Sequence, residues 1–387
     1  MIDLGSWMNK ILIGWGVDPK IANTFDETII AILMIFIAVG LDYLCQAIFV
    51  GGMKRLARKT SYKWDTLMVK HKVIHHLIHI LPGILMYMLL PMAFVHGKTL
   101  LLVSQKICVI YMIFALLIAD VTKIFVPSLN HGFYYALGAT CCLLLYGYYN
   151  YRHPQVNKID VSLDKPIEGN GINIVAVSDV HLGYGTGKAM LKEYVDMINA
   201  QHPDLILIGG DLIDNSLTPL YKENMAEELA RLKAPLGIYM VPGNHEYISG
   251  IDESVRFLKD TPIQLLRDSV VTLPNGVQII GRDDRSNRSR HSLPTLLKQA
   301  DRSKPIILLD HQPYNLAKTD SLGIDLQFSG HTHHGQIWPI SWVTDRIYEQ
   351  SHGYRKWTQS HIYVSSGLSL WAVSYTHLRA HETPEHL

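Results

Sequence analysis

The sequence predicts two parts of different class: N-terminal transmembrane helices, then a soluble α/β domain. Three observations carry this. Nearly every long apolar run lies before residue 154. Behind it, short strand-like runs alternate with helix-like segments. Most of those strand-like runs end in Asp, His or Asn. Of 387 residues, 48% are hydrophobic and 18% charged, with a net charge of +1. That balance excludes a disordered chain and a protein drawn to nucleic acid by bulk charge.

A helix crossing a bilayer needs about 20 mostly apolar residues. Four stretches within residues 1–150 meet this: Thr28–Val50, Val73–Val95, Leu100–Val126 and the shorter, aromatic-flanked Phe133–Tyr149. Met1–Val17 lacks the basic start and apolar core of a cleaved signal peptide. The loop Gly51–Lys72 holds Lys54, Arg55, Arg58, Lys59, Lys63, Lys70 and Lys72 against Asp65. Such a loop prefers the cytoplasm, which with four spans puts the soluble domain outside it. The expectation is an integral protein of a bacterial inner membrane, with the bilayer as partner and an extracytoplasmic domain. Asp42, Asp120, Lys123, His75, His76 and His79 read as groups at span ends or packed between helices. Cys45, Cys108, Cys141 and Cys142 all lie in apolar stretches, and no Cys-x-x-Cys occurs. A zinc knuckle or dithiol redox site is therefore excluded.

Residues 151–170 read as a linker, with Pro154, Pro166 and Gly169. Strand-like runs follow at 172–178, 205–210, 237–243, 277–281, 305–310, 325–330 and 361–367. Helical stretches are expected at Lys188–Ala200 and Tyr221–Leu232. The first strand runs into Asp179-Val-His181, and the second into Gly-Gly-Asp211-Leu-Ile-Asp214. The third runs into Asn244-His245-Glu246. Two later strands end at Asp310-His311 and Gly330-His331-Thr-His333. In α/β sheets the C-terminal ends of parallel strands share the edge where ligands bind. Carboxylate, imidazole and amide oxygen without thiolate suit Mn, Fe or Zn. The set exceeds one coordination sphere, so it points to two divalent ions. Such a pair clamps a phosphoryl group and activates a water.

Asp-x-His, Gly-Asp-x-x-Asp, Gly-Asn-His-Glu, a later His and Gly-His-x-His together resemble the signature of calcineurin-like metallophosphoesterases. GRDDRSNR (281–288), GHTHHGQIWP (330–339) and YVSSGLSLW (363–371) resemble the membrane-associated bacterial branch, over residues about 117–373. The resemblance implies an αββα sandwich at 171–373. It implies that Asp179, His181 and His333 bind one metal, that Asp211 bridges, and that Asn244, His311 and His331 complete the second. His245 would contact the phosphate as transition-state stabiliser or proton donor. Asp214 and Glu246 would orient histidines from behind, with a helix N-cap as the plainer reading of Asp214. The implied protein is a membrane-anchored, metal-dependent phosphoric ester hydrolase. Its substrate is a phosphodiester or phosphomonoester; a membrane anchor beside the site admits lipid-linked esters, with soluble phosphoesters as the alternative. No nucleic acid or obligate protein partner is expected.

Other features sit outside that set. Residues 55–83 resemble the first helices of the small-conductance mechanosensitive channel family, a likeness spanning about residues 30–115. The pore helix and β-rich domain of a channel are missing from it. The rival reading is a non-catalytic membrane sensor, or channel-related protein, with a degenerate phosphoesterase domain. The charged loop Arg282–Arg288 reads as solvated, with phosphate or headgroup contact as the alternative. Trp338, Trp342, Trp357 and Trp371 read mainly as packing residues, and His334 stands where many members of the resembled family carry Gly. Residues 374–387 are polar, lack strand alternation and read as an atypical tail foreign to the domain. Their histidines are therefore not counted as ligands.

Overall fold

A computed structural model describes residues 10–17, 43–52, 132–168, 171–336 and 339–369, with scattered single positions elsewhere between 36 and 122. The chain divides into two compact units, the second being Pro154–Ser374. In the first unit, the Phe133–Tyr149 stretch lies within a 21-residue helix, Gly132–Arg152. Its tyrosines and glycines dilute its apolar content. Among the described residues, no helix is long and apolar enough to cross a membrane. The stretch Val73–Val95 lies outside the described residues, as do about half of Thr28–Val50 and almost all of Leu100–Val126; the described end of the first stretch holds a short π-helical turn, Gln46–Val50. Most of the channel-like region and all of the tail 374–387 also fall there.

The second unit is built on two sheets. The first pairs β1 (Ile174–Val177), β2 (Leu205–Ile208), β3 (Ile238–Met240) and β4 (Ile263–Leu265) in that order, all parallel. The second contains β5 (Ser269–Thr272), β6 (Gln278–Gly281), β7 (Ile306–Leu309) and β8 (Leu326–Ser329). It is completed by β9 (Gly353–Lys356) and β10 (His361–Val364), in the order β5-β6-β7-β8-β10-β9. Strands β6, β7, β8 and β10 run parallel, while β5 and β9 are antiparallel edges. All seven strand-like runs read from the sequence become strands. The three others, β4, β5 and β9, are edge segments without an apolar run.

Strands buried on both faces read as continuous hydrophobic sequence, and alternate residues then face opposite layers. In β2, Leu205 and Leu207 meet Leu273, Ile279, Ile307, Leu309 and Phe328 of the second half in a core between the sheets. Ile206 and Ile208 pack instead with Leu191, Val195 and Ile198 of the helix Lys188–Asn199, and with Leu220, Met225 and Phe257. In β7, Ile307 and Leu309 face the other sheet, while Ile306 and Leu308 pack on Leu293, Leu296 and Leu297 of the helix Leu293–Leu297. Two sheets between two helical layers make an αββα sandwich. The helix expected over Tyr221–Leu232 is broken in two, Thr218–Lys222 and Met225–Leu229. Asn224 interrupts it with a left-handed φ of 51°. Residues 154–168 form neither helix nor strand, whereas Tyr151 and Arg152 still belong to the preceding helix.

Candidate metal centre

Strands β1, β2 and β3 of one sheet and β7, β8 and β10 of the other all end at the same functional edge. The turns leaving β1, β2, β3, β7 and β8 carry Asp179, His181, Asp211, Asn244, His245, His311, His331 and His333, and the structure brings all eight together. Five of the seven candidate ligands are left-handed: Asp179 (φ 54°), His181 (48°), Asp211 (52°), His331 (74°) and His333 (47°). Asp and His enter this region more readily than most residues, yet each instance costs on the order of 1–3 kcal/mol. The cost is met by the rigid sheets behind the turns. Backbone bonds tie the turns to each other: the Asp179 N–H donates to Gly210 O and the His181 N–H to Asp211 O, both at 3.0 Å.

Around Asp179, His181 Nε2 and His333 Nε2 stand 3.1 Å apart, and His333 Nε2 lies 3.4 Å from Asp179 Oδ1. The His331 N–H donates to Asp179 Oδ1 at 3.0 Å, and the Ser178 hydroxyl donates to Asp179 Oδ2. On the other side, Asn244 Oδ1 lies 3.2 Å from His311 Nε2 and 2.9 Å from His331 Nδ1. Asp211 stands between the groups. Its Oδ2 is 3.2 Å from His311 Nε2 and 3.9 Å from His181 Nε2. Donor atoms of Asp179, His181 and His333 lie within 4.8 Å of one another, as do those of Asp211, His311 and His331. Imidazole nitrogens of His181 and His311 converging on the Asp211 carboxylate, with Asn244 Oδ1 and His331 Nδ1 beside them, fit a bound cation. The hard-and-borderline donor set suits divalent Mn, Fe or Zn.

Residues around the cluster hold its histidines in place. His311 Nδ1 donates to Gly209 O at 2.8 Å, which leaves Nε2 free to coordinate. Asp214 Oδ1 lies 3.4 Å from His181 Nδ1 and 3.1 Å from His245 Nδ1, so one carboxylate orients two rings. No helix starts at Asp214; the next begins at Thr218 behind Leu217, which removes the N-cap reading. Glu246 orients no histidine. Its carboxylate accepts the backbone N–H groups of Asp211 (3.0 Å), Ile213 (2.9 Å) and Gly243 (2.7 Å). As third residue of the helix Asn244–Ile248 it reaches back across that helix start and also fastens the β2 turn.

The electrostatics follow from burial and proximity. Burial alone would raise the Asp211 carboxyl, but His311, then His181 and His245, hold it well below the usual carboxylate range. Burial pushes His331 down to about 4, helped by the neighbouring His311, and likewise pushes His333 down to about 4. Those two rings are thus neutral at pH 7, as ligation requires. Burial would lower His245, yet the Asp214 contact and the Asp211 charge raise it overall. Burial and the Asp211 charge push Glu246 up to about 7.

Several neighbours carry no motif in the sequence. The loop from Arg282 is not a solvated one. Asp283 and Asp284 are buried, and Arg282 and Arg290 both pair with Asp310, at 2.7 and 3.1 Å. This Arg–Asp–Arg clamp fastens the residue immediately before His311. Only Arg285 and Arg288 of that loop are exposed cations, and Arg285 lies 4.3 Å over the Tyr314 ring. Tyr314 meets Tyr348 hydroxyl to hydroxyl at 3.2 Å, and the Tyr348 ring stands edge-on to His331. Past β10, Leu368 and Ser369 donate their N–H groups to Ser178 O and Asp179 O at 2.9 and 3.1 Å, closing the first turn from behind. Of the tryptophans, Trp357 donates to Gln350 and packs near Ile362, and Trp342 is exposed; Trp338 and Trp371 lie outside the described residues.

Residues 172–335 match the family model for calcineurin-like phosphoesterases. Over 261 residues the chain is 33% identical to an uncharacterized metallophosphoesterase of Helicobacter pylori strain J99, covering 64% of this chain and 69% of that protein. An uncharacterized metallophosphoesterase of Aquifex aeolicus is 32% identical over 225 residues, which are 55% of this chain and 84% of that protein. A Danio rerio protein named as a transmembrane protein with a metallophosphoesterase domain is 30% identical over 256 residues. That match covers 62% of this chain and 58% of the zebrafish protein. With its sandwich fold and its paired His/Asp clusters, the chain belongs to the calcineurin-like metallophosphoesterases, hydrolases of phosphoric esters that depend on divalent metal.

Proposed function

We propose that the protein is a membrane-anchored dinuclear phosphoesterase acting on phosphodiester or phosphomonoester bonds, with lipid-linked esters as the favoured substrates. The observation that carries the dinuclear reading is the position of Asp211. Its carboxylate lies between two separate donor groups, one of Asp179, His181 and His333, the other of Asn244, His311 and His331. When bound, the two ions neutralise charge on the phosphoryl oxygens and lower the pKa of a water. The chain does the rest. Asp214 engages His245 at Nδ1 and so fixes its ring beside the cluster. Held beside His181 with ring centroids 4.6 Å apart, His245 is placed to give a proton to the ester oxygen as the P–O bond breaks. Arg285 over Tyr314, with Tyr348 against His331, forms a rim suited to an anionic, partly apolar substrate. Support for the anchor comes from the apolar stretches between residues 28 and 126 and from the name of the zebrafish relative.

The test uses the full chain purified in detergent and supplied with Mn²⁺. Hydrolysis of bis-nitrophenyl phosphate is expected, and Asp211→Asn should lower it at least about a hundredfold together with the bound-metal count. A folded protein that turns over no phosphoester with any divalent metal would end the catalytic reading. Comparing phospholipid and lipid-linked diesters with soluble ones tests the lipid preference. Equal kcat/KM for both classes would remove it.

A further inference from the structure

Arg285, Tyr314 and Tyr348 stand beside the cluster without belonging to either donor group. They come from separate pieces of chain. Arg285 lies in the loop after β6, Tyr314 stands three residues beyond His311, and Tyr348 follows the helix Ser341–Ile347. The Arg285 guanidinium lies 4.3 Å over the Tyr314 ring. The two phenol rings have centroids 5.1 Å apart, and their hydroxyls meet at 3.2 Å. The Tyr348 ring then stands edge-on to His331, with centroids 6.4 Å apart. Contacts thus run unbroken from an exposed guanidinium to a candidate metal ligand.

An exposed arginine over a tyrosine is often only a solvated cation resting on a ring, worth about 0.5–1 kcal/mol. The surroundings favour a binding role. The loop carrying Arg285 is pinned by its own charges. Asp283 accepts the Tyr247 hydroxyl at 2.6 Å and Arg267 Nε at 3.0 Å. Asp284 accepts the Gln312 side-chain amide at 2.8 Å, and Arg282 and Arg290 close on Asp310. Glu349, next to Tyr348, turns its carboxylate to the Ala317 N–H at 2.8 Å. Among the described residues, no carboxylate is thus left to pair with Arg285. The phenols add a donor. Each carries one hydroxyl hydrogen, the contact between them uses one, and the second O–H remains to donate outward. A planar guanidinium beside a phenol O–H suits a phosphoryl or carboxylate group.

Resting on the phosphoesterase reading, we propose that Arg285 and the Tyr314–Tyr348 hydroxyl pair bind a second anionic group of the substrate, distinct from the scissile phosphoryl. The scissile group belongs at the donor groups around Asp211. Arg285 is separated from His331 by two phenol rings, so it meets a different part of the same molecule. The substrate class is therefore a phosphoester that carries a further phosphoryl group, with the connecting portion lying against the tyrosine rings. An ester with a single phosphoryl group would leave the guanidinium unused. Arg285 is on this account the residue that sets charge specificity.

Calorimetric binding of matched probes tests this on the full chain in detergent with Mn²⁺ supplied. Terminal alkanediol bisphosphates of increasing chain length are compared with alkyl monophosphates of the same length. At one chain length or more, the bisphosphate should bind wild type at least about tenfold more tightly than its monophosphate, as one charge-assisted contact predicts. Arg285→Gln should remove that advantage, and Arg285→Lys should restore part of it. Arg288→Gln removes the same charge from the other exposed arginine of the loop and should leave the advantage intact. A dodecyl tail on the same bisphosphate separates the sources of the group. Tighter binding points to a lipid headgroup and unchanged binding to a soluble ester, and either upholds the subsite. The proposal is overturned if no chain length gives the advantage, if the advantage survives Arg285→Gln, or if Arg288→Gln removes it equally. Binding is read without turnover, so failure to hydrolyse bis-nitrophenyl phosphate would end the catalytic reading alone, and loss of the bisphosphate advantage would end this one alone.

Discussion

At the scale of the residue, glycine controls the cluster as firmly as the ligands do. A Cβ on Gly330 would fall onto Asp179 Oδ2 and Ser178 Oγ, and one on Gly243 would fall onto Asp211 Oδ1. All three atoms belong to the turns that carry Asp179 and Asp211, which cannot retreat because the sheets fix them. Gly330→Ala should therefore reduce bound metal and activity together while leaving the sandwich folded. Metal analysis with circular dichroism checks this, and full metal occupancy in the variant would refute it. The Asp, His and Asn residues were legible because each follows an apolar run and recurs in a fixed pattern. Glu246 was only half legible. Its neighbourhood marked it as close to the cluster, but nothing in the sequence shows that its partners are three backbone N–H groups. The same holds for Asp310, whose two arginines come from 28 and 20 residues away.

At the scale of the element, the inner faces of β2 and β7 decide stability. Leu207 is buried between the sheets against residues of the second half. Leu207→Ala should cost about 2–5 kcal/mol, measured as a lower midpoint in denaturant unfolding. Val271→Ala, on the partly buried edge strand β5, should cost less. Equal losses would mean the inter-sheet core is not the dominant packing surface. The seven strands with apolar runs were readable because burial on both faces writes itself as continuous Leu, Ile and Val. The edge strands β4, β5 and β9 were not. An edge needs only one protected face, and GYRK of β9 is largely exposed, so no hydrophobic period marks it. The break at Asn224 was missed for a related reason: a single left-handed residue leaves the helical apolar spacing on either side intact.

At the scale of the whole molecule, the candidate metal centre sits at the seam between two sheets and draws candidate ligands from both. Ions that bind only the folded arrangement add stability by mass action, about 2.7 kcal/mol when present at a hundred times their Kd. Chelation should lower the melting temperature of the full chain, and Mn²⁺ should restore it. An unchanged melting temperature would show that the sandwich is indifferent to its ions. Low overall charge suits this design, since the chemistry rests on a local cluster of carboxylates and imidazoles rather than on a long-range field.

The bonds from Leu368 and Ser369 to Ser178 and Asp179 carry a temporal meaning. Asp179 is held by a residue 369 − 179 = 190 positions further along. During synthesis the ribosome releases β1, β2 and β3 well before that partner exists, so the first sheet is complete in pairing while its ligand turn is still open at the back. Such distant closure is slow to find, because the loop entropy must be spent before the contact rewards it. The back of the Asp179 turn therefore closes only once Leu368 and Ser369 have emerged, whatever pairing the first sheet has already made, and an ion that needs the closed turn binds after that contact forms.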